Sequence, residues 1–250
     1  MLNNSNPILV LDSGIGGINL LKSMTRTFPK ENFIYFADNE YMPYGNKNEK
    51  SLLKRIDNII ENMIRVYNAK MVILACNTAS TICLKALRAK YKTAIYGVNP
   101  TNLTTKRSLI LCTRLTAKAI HKSHDLANLL DKIEYEKILS LPRLASFIEN
   151  NLINLDKLEN KVKEIIIKYN LKSYKSIVLG CTHYEFLYKF FKKYLPESKI
   201  ICPSTNTIQE ILKSKCCDNS KTKSQGNVYF LSSSPSKSYI DKLYYIFNKL

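Results

Sequence analysis

The chain has 250 residues, 45% hydrophobic and 23% charged, enough to bury roughly 70–75% of its unfolded surface in a packed core. That balance excludes disorder, collagen and coiled coil as descriptions of the whole chain. The formal net charge is +18, but the excess is spread along the whole sequence with no polybasic tail or stripe, so it reads as a lysine-rich solvated surface and specific nucleic-acid binding is not expected.

Other classes fall to simple counts. Apolar runs such as MVILAC (71–76) are far shorter than the ~20 residues of a spanning helix, and the first residues lack the charged start and cleavage site of a secretory signal. A cytoplasmic protein with no membrane association is expected. The seven cysteines are an odd number, which argues for reduced thiols. None forms a C-x-x-C pair, so neither a disulfide framework nor a zinc site is expected.

In chain order, short apolar runs alternate with helical periodicity. Strands are predicted at ILVL (8–11), FIYF (33–36), MVILA (71–75), AIYGV (94–98), LILC (109–112), SIVLG (176–180), KIIC (199–202) and VYFL (228–231). A helix over 49–67 places Leu52, Leu53, Ile56, Ile60, Met63, Ile64 and Tyr67 on one face. A second, over 155–169, does the same with Leu155, Leu158, Val162, Ile165, Ile166 and Tyr169. Alternation of this kind predicts an α/β protein with mainly parallel sheets, and unbroken apolar strands are those covered by helices on both faces. Residues 216–226 read as a loose surface loop.

A weak internal repeat divides the chain into two similar lobes. MVILACNTAS and SIVLGCTHYE share the pattern of apolar strand, small residue, cysteine and polar residues before a helix; ILVLDSGIGG and LILCTRLTAK match in the same way. The expected division is 1–98 plus 208–250 for the first lobe, with Asp12 and Cys76, and 99–207 for the second, with Cys181 and His183. Ligands of open parallel sheets bind at the carboxyl ends of strands. Asp12, Cys76, Thr113 and Cys181 all fall there, so the active site is expected in the cleft between the lobes.

Six of the seven glycines (14, 16, 17, 45, 97 and 180) sit at or beside strand ends, where the backbone needs positive φ or close approach to a ligand. The segment DSGIGG (12–17) is not a dinucleotide loop, because Asn19 stands where the third glycine would be. It suits a turn into a helix whose N-terminus receives a small anion such as a carboxylate. Cys76 and Cys181 each precede polar donors at an expected helix start. A matched pair of this kind suggests a two-base device, one thiolate taking a proton from one face of a carbon acid while a thiol opposite delivers one to the other.

LDSGIGG (11–17), PYGNK (43–47), ACNTAS (75–80) and LGCTHY (179–184) resemble the four signature segments of cofactor-independent glutamate racemases, in order and at similar spacing. The matches AIYGVNP, CTRLT and RLASFIE extend the resemblance over most of the chain. It implies that Cys76 and Cys181 are the catalytic acid/base thiols, assisted by Asp12 and His183 respectively, with Glu149 near the second half-site. It further implies that Ser13, Tyr44, Gly45, Asn77, Thr78, Thr116 and Thr182 hold the substrate together with Asp12 and His183. The implied substrate is glutamate, with D-glutamate supplied to peptidoglycan; the paired cysteines also admit another amino acid such as aspartate, and the alternative from a different class is a non-catalytic protein whose basic surface binds an acidic partner. No cofactor and no metal are implied, and a homodimer is common in the family. The chain departs from the family at Asn99, where glutamate is usual, and at Ala119, where serine often stands; the stretch 119–142 resembles the family poorly.

Overall fold

A computed structural model describes residues 6–101, 108–122, 138–217 and 225–249. The first sheet is built from β1 (Ile8–Asp12), β2 (Phe33–Ala37), β3 (Met71–Leu74), β4 (Ala94–Gly97) and a late strand, β9 (Val228–Ser232). The second holds β5 (Ser108–Cys112), β6 (Ile138–Ser140), β7 (Ser176–Gly180) and β8 (Lys199–Ile201). Every ladder is parallel.

Strand order makes the internal repeat concrete. The first sheet runs β4-β3-β1-β2-β9 and the second, read from the matching end, β8-β7-β5-β6. Thus β3 and β7, which lead into Cys76 and Cys181, take equivalent places beside β1 and β5. Only β9, added beyond β2, breaks the correspondence. The predicted strands all form. The sequence reading omits β6, whose three residues ILS are all half-buried and carry no run long enough to register.

Central strands β1, β2, β3, β5 and β7 are buried along their whole length, as unbroken apolar strands between helical layers must be. Edge strands differ: β4 alternates buried and half-buried residues, and β8 is buried only at Ile200. One apolar cluster runs through both lobes, joining Ile15, Ile18 and Ile73 of the first to Leu111, Ile148 and Leu179 of the second. Each such side chain contributes about 1.5–3 kcal/mol by leaving water, so the lobes share a core.

The described helices are α1 (Ile18–Thr27), α2 (Glu49–Tyr67), α3 (Asn77–Lys90), α4 (Arg114–Lys122), α5 (Leu144–Asn151), α6 (Leu155–Lys168), α7 (Tyr188–Tyr194), α8 (Ser204–Ser214) and α9 (Lys237–Lys249). Local chemistry sets their ends. Asn48 Oδ1 accepts from the Lys50 and Ser51 N–H groups to open α2, and Asn68, at φ 52°, closes it. Asn154 opens α6 through the Lys157 N–H. Leu155, expected on the buried face of α6, is 59% exposed: it is the first residue of the helix, and the buried stripe begins one turn later at Leu158.

The changeover expected between residues 207 and 208 falls inside α8. This unbroken helix packs on α1 and β4 of the first lobe, with Thr207 Oγ1 donating to the Gly97 carbonyl, while its first residue, Ser204, donates to Glu185 of the second. Of the loop expected at 216–226, residues 218–224 lie outside the described residues, as do 123–137 within the stretch of poor resemblance. Among the described residues no helix is long and apolar enough to cross a membrane.

Candidate active site

The two lobes meet at the carboxyl ends of β1, β3, β5 and β7. Asp12 is the last residue of β1 and fully buried. Its Oδ1 accepts from the Gly14 N–H at 2.8 Å, and its Oδ2 accepts from Thr182 Oγ1 at 3.1 Å, so the first lobe's carboxylate is held by a second-lobe hydroxyl. Burial raises its pKa above the usual carboxylate range; His183 and the two hydrogen bonds oppose this. Ser13, beside it, is buried.

Cys76 occupies the position just before α3 in extended backbone. Burial pushes the thiol well up, reinforced by neighbouring Asp12 and Cys181 and opposed by the Ala79 and Thr78 N–H groups at the start of α3. Cys181 holds the matching position before a 3-10 turn, Thr182–Leu187, and is likewise buried.

Behind Cys181 lies a relay. His183 follows Cys181 by two residues and is buried with it, and its Nε2–H donates to Glu149 Oε2 at 2.8 Å. Burial alone would push the imidazole down; neighbouring Cys181 and Glu149 override it and hold the imidazolium well above its usual range. Glu149 mirrors this. Burial would raise its pKa, but His183 first, then Lys242 and the Ile15 N–H, bring it below the ordinary value. The anion expected at the DSGIGG turn is thus the protein's own: the Ile15 N–H donates to Glu149 Oε2 at 3.1 Å.

The glycines serve close approach, and none has a positive φ. A Cβ on Gly14 would lie 2.8 Å from Glu149 Oε2, one on Gly16 2.5 Å from His183 Nδ1, and one on Gly45 2.6 Å from the Thr113 Cβ. These are contacts between lobes. The missing side chains let the second half-site's residues seat against the first lobe's turn.

Hydroxyls and amides complete the cleft. Thr78 of α3 meets Thr113 and Thr116 of the second lobe in a three-way cluster at 2.9–3.1 Å. Asn77 Nδ2 donates to the Val98 carbonyl, while Asn77 Oδ1 is, among the described residues, a buried side-chain acceptor with no partner. Tyr44 donates to Asp38 Oδ2 at 2.8 Å, and Arg55 grips both oxygens of Asp38.

All twelve residues singled out in the sequence lie on the segments that meet here. Residues that the sequence reading did not place at the site are Asp38, Arg55, Tyr35, Tyr239 and Lys242, none of which carried a signal; Thr113 was placed at its strand end but given no role. Tyr35 O–H supports the turn from below by donating to the Gly14 carbonyl at 2.7 Å.

No protein-family model matches the chain. A glutamate racemase of Clostridium botulinum (strain Alaska E43) is 34% identical over 254 residues, 95% of each chain. The crystal structure of a Bacillus anthracis glutamate racemase superposes with a TM-score of 0.80 at 26% identity, over 98% of this chain and 94% of that one. A Francisella tularensis glutamate racemase solved with D-glutamate gives 0.77 at 24% identity, over 98% and 94%. With a relative this similar over nearly its whole length, the chain is an amino-acid racemase, an isomerase. Within that class, the chain belongs to the glutamate racemase family.

The Gly16 contact gives a direct expectation. Because His183 is pinned by Glu149, Gly16→Ala must displace the imidazole, and displacements near 1 Å cost about 10²-fold in rate. Steady-state racemisation should fall by that order with unchanged circular dichroism; wild-type turnover would mean that the imidazole is free to move.

Proposed function

We propose that this chain interconverts L- and D-glutamate by two-thiol proton transfer, without an added cofactor, and that it supplies D-glutamate for peptidoglycan. The single observation that carries the reading is the placement of Cys76 and Cys181 at the ends of equivalent strands of two repeated lobes, both buried. Each thiol has its own carboxyl support, Asp12 for Cys76 and Glu149 through His183 for Cys181.

The α-C–H of an amino acid is a very weak acid, so the site must stabilise negative charge developing at Cα and in the α-carboxylate. The Thr78 hydroxyl, whose hydrogen can turn to the substrate, supplies a donor in a cleft screened from water. The unpartnered Asn77 Oδ1 is an acceptor suited to the substrate ammonium, which would relieve a desolvation cost of about 1–3 kcal/mol. The Thr78, Thr113 and Thr116 cluster offers hydroxyl donors for the distal carboxylate. One thiol removes the α-proton, the other protonates the opposite face, and the roles reverse with the substrate's hand. Asp12 and His183 return each thiol to the state the next turnover needs.

We assign the enzyme to the cytoplasm, with free glutamate as substrate, no specific nucleic-acid partner and a homodimer as the expected assembly. The test is a panel of L- and D-glutamate, aspartate and alanine with purified protein and no cofactor, followed by circular dichroism. Glutamate should be turned over at least about 10²-fold faster than the others, because a site built to hydrogen-bond a carboxylate rejects analogues that leave it unpaired. Preference for aspartate would overturn the substrate, and no turnover of any would overturn the reaction.

One thiol must be ionised and one protonated, so kcat/KM should follow a bell-shaped pH profile. Since burial pushes the Cys76 thiol up, the alkaline limb belongs above the usual thiol pKa of about 8.5. A flat profile between about pH 6 and 10 would contradict the two-thiol assignment.

A further inference from the structure

Helix α9 reaches the second half-site at Glu149. His183 and the Ile15 N–H take Oε2 of Glu149, and α9 approaches the other carboxylate oxygen. Tyr239 O–H donates to Oε1 at 3.1 Å, and Lys242 Nζ lies 3.6 Å from the same oxygen while donating to the Glu149 backbone carbonyl at 2.9 Å. Tyr239 and Lys242 stand three residues apart, on one helix face.

We propose that Tyr239 and Lys242 are positioning residues for the reaction, holding Glu149 so that His183 is aimed at Cys181 and limiting how tightly the carboxylate retains the imidazolium. The proposal rests on the acid/base reading of Cys181 above.

The charge logic follows from what faces the pair. His183 is faced by Asp12, Cys181 and Glu149; Glu149 is faced by His183, Tyr239 and Lys242, with Asp12 and Tyr35 across the DSGIGG turn. Burial, reinforced by Glu149, keeps the Tyr239 hydroxyl protonated and therefore a constant donor. Removing the Tyr239 hydroxyl or the Lys242 ammonium concentrates negative charge on Glu149, which then pulls harder on the His183 proton and releases it less readily toward Cys181. An anchor concerned only with packing would leave that proton alone.

The experiment compares Tyr239→Phe, Lys242→Met and the conservative Lys242→Arg with wild type in the full-length enzyme. The chain has three histidines, so the His183 ring can be assigned by NMR and followed through its titration. Tyr239→Phe and Lys242→Met should raise the His183 midpoint by about 0.5–1 unit. They should lower kcat by about three- to tenfold with KM within twofold, the signature of an interaction that matters in the transition state rather than in binding. Lys242→Arg should restore both. A fall in melting temperature with an unmoved midpoint and wild-type kcat would overturn the proposal. Absence of racemisation by the wild type would instead remove the reading on which it rests, so the two failures are distinguishable.

Discussion

Replacing either Cys76 or Cys181 by alanine is expected to abolish racemisation while leaving the fold in place. Both sulfurs are buried at strand ends, yet neither strand depends on them. The apolar ladders of β3 and β7 end before the cysteines, so losing one sulfur removes a small contact, about 1 kcal/mol. The kinetic effect is of another size. A positioned acid or base contributes typically 10²–10⁴-fold, and here no neighbouring group can replace either one. On one face, Asp12 is already committed to Gly14 and Thr182; on the other, His183 is committed to Glu149. Both directions must fail together, because L- and D-glutamate have equal free energies and kcat/KM is tied between them. Steady-state polarimetry on each variant checks this, and turnover within tenfold of wild type in either would show that its thiol is not in the proton path.

His183→Ala should be costly to both activity and stability. It leaves the Glu149 carboxylate, 8% exposed, without its closest opposite charge, with the part-exposed Lys242 as the remaining cation nearby. Breaking a buried pair by removing one partner costs about 3–5 kcal/mol. For a chain of this size that lowers the melting temperature by about 6–20 °C. The pH dependence has a definite sign. The folded His183 pKa is raised above 6.5, so its contribution is full below that value and fades as pH rises through the folded pKa. The folded Glu149 pKa is lowered from 4.5, so its contribution is full above that value and fades as pH falls through the folded pKa. The gap in melting temperature between wild type and variant should therefore be widest between about pH 4.5 and 6.5. A gap that widens steadily toward pH 9 would mean that the pair is not ionised as described.

Much of this arrangement was legible in the sequence because its physics is local. A strand buried on both faces must be an unbroken apolar run, and β1, β2, β3, β5 and β7 are. The face of α2 follows from the spacing of Leu52, Ile56 and Ile60. The cysteines could be paired because the repeat placed them in the same context. What could not be read depends on segments far apart in the chain. Tyr239 and Lys242 meet Glu149 across some ninety residues, and nothing in SYIDK distinguishes them from other residues of an amphipathic helix. Arg55 reaches Asp38 from the middle of α2, where an arginine would otherwise be assigned to solvent. The glycines were located but half explained: a strand-end glycine signals positive φ and close approach equally, and only the opposing lobe shows that His183, Glu149 and Thr113 are what approach.

The central claim, that different groups serve the two faces of Cα, is tested most directly by following L-glutamate in D₂O to low conversion and measuring deuterium at Cα in both enantiomer pools. With two thiols, the D-glutamate formed should carry solvent deuterium while the remaining L-glutamate keeps its original hydrogen, because the base that removes the proton is not the acid that delivers the new one. D-glutamate retaining the original hydrogen, or deuterium entering both pools at the same rate from the start, would contradict the account.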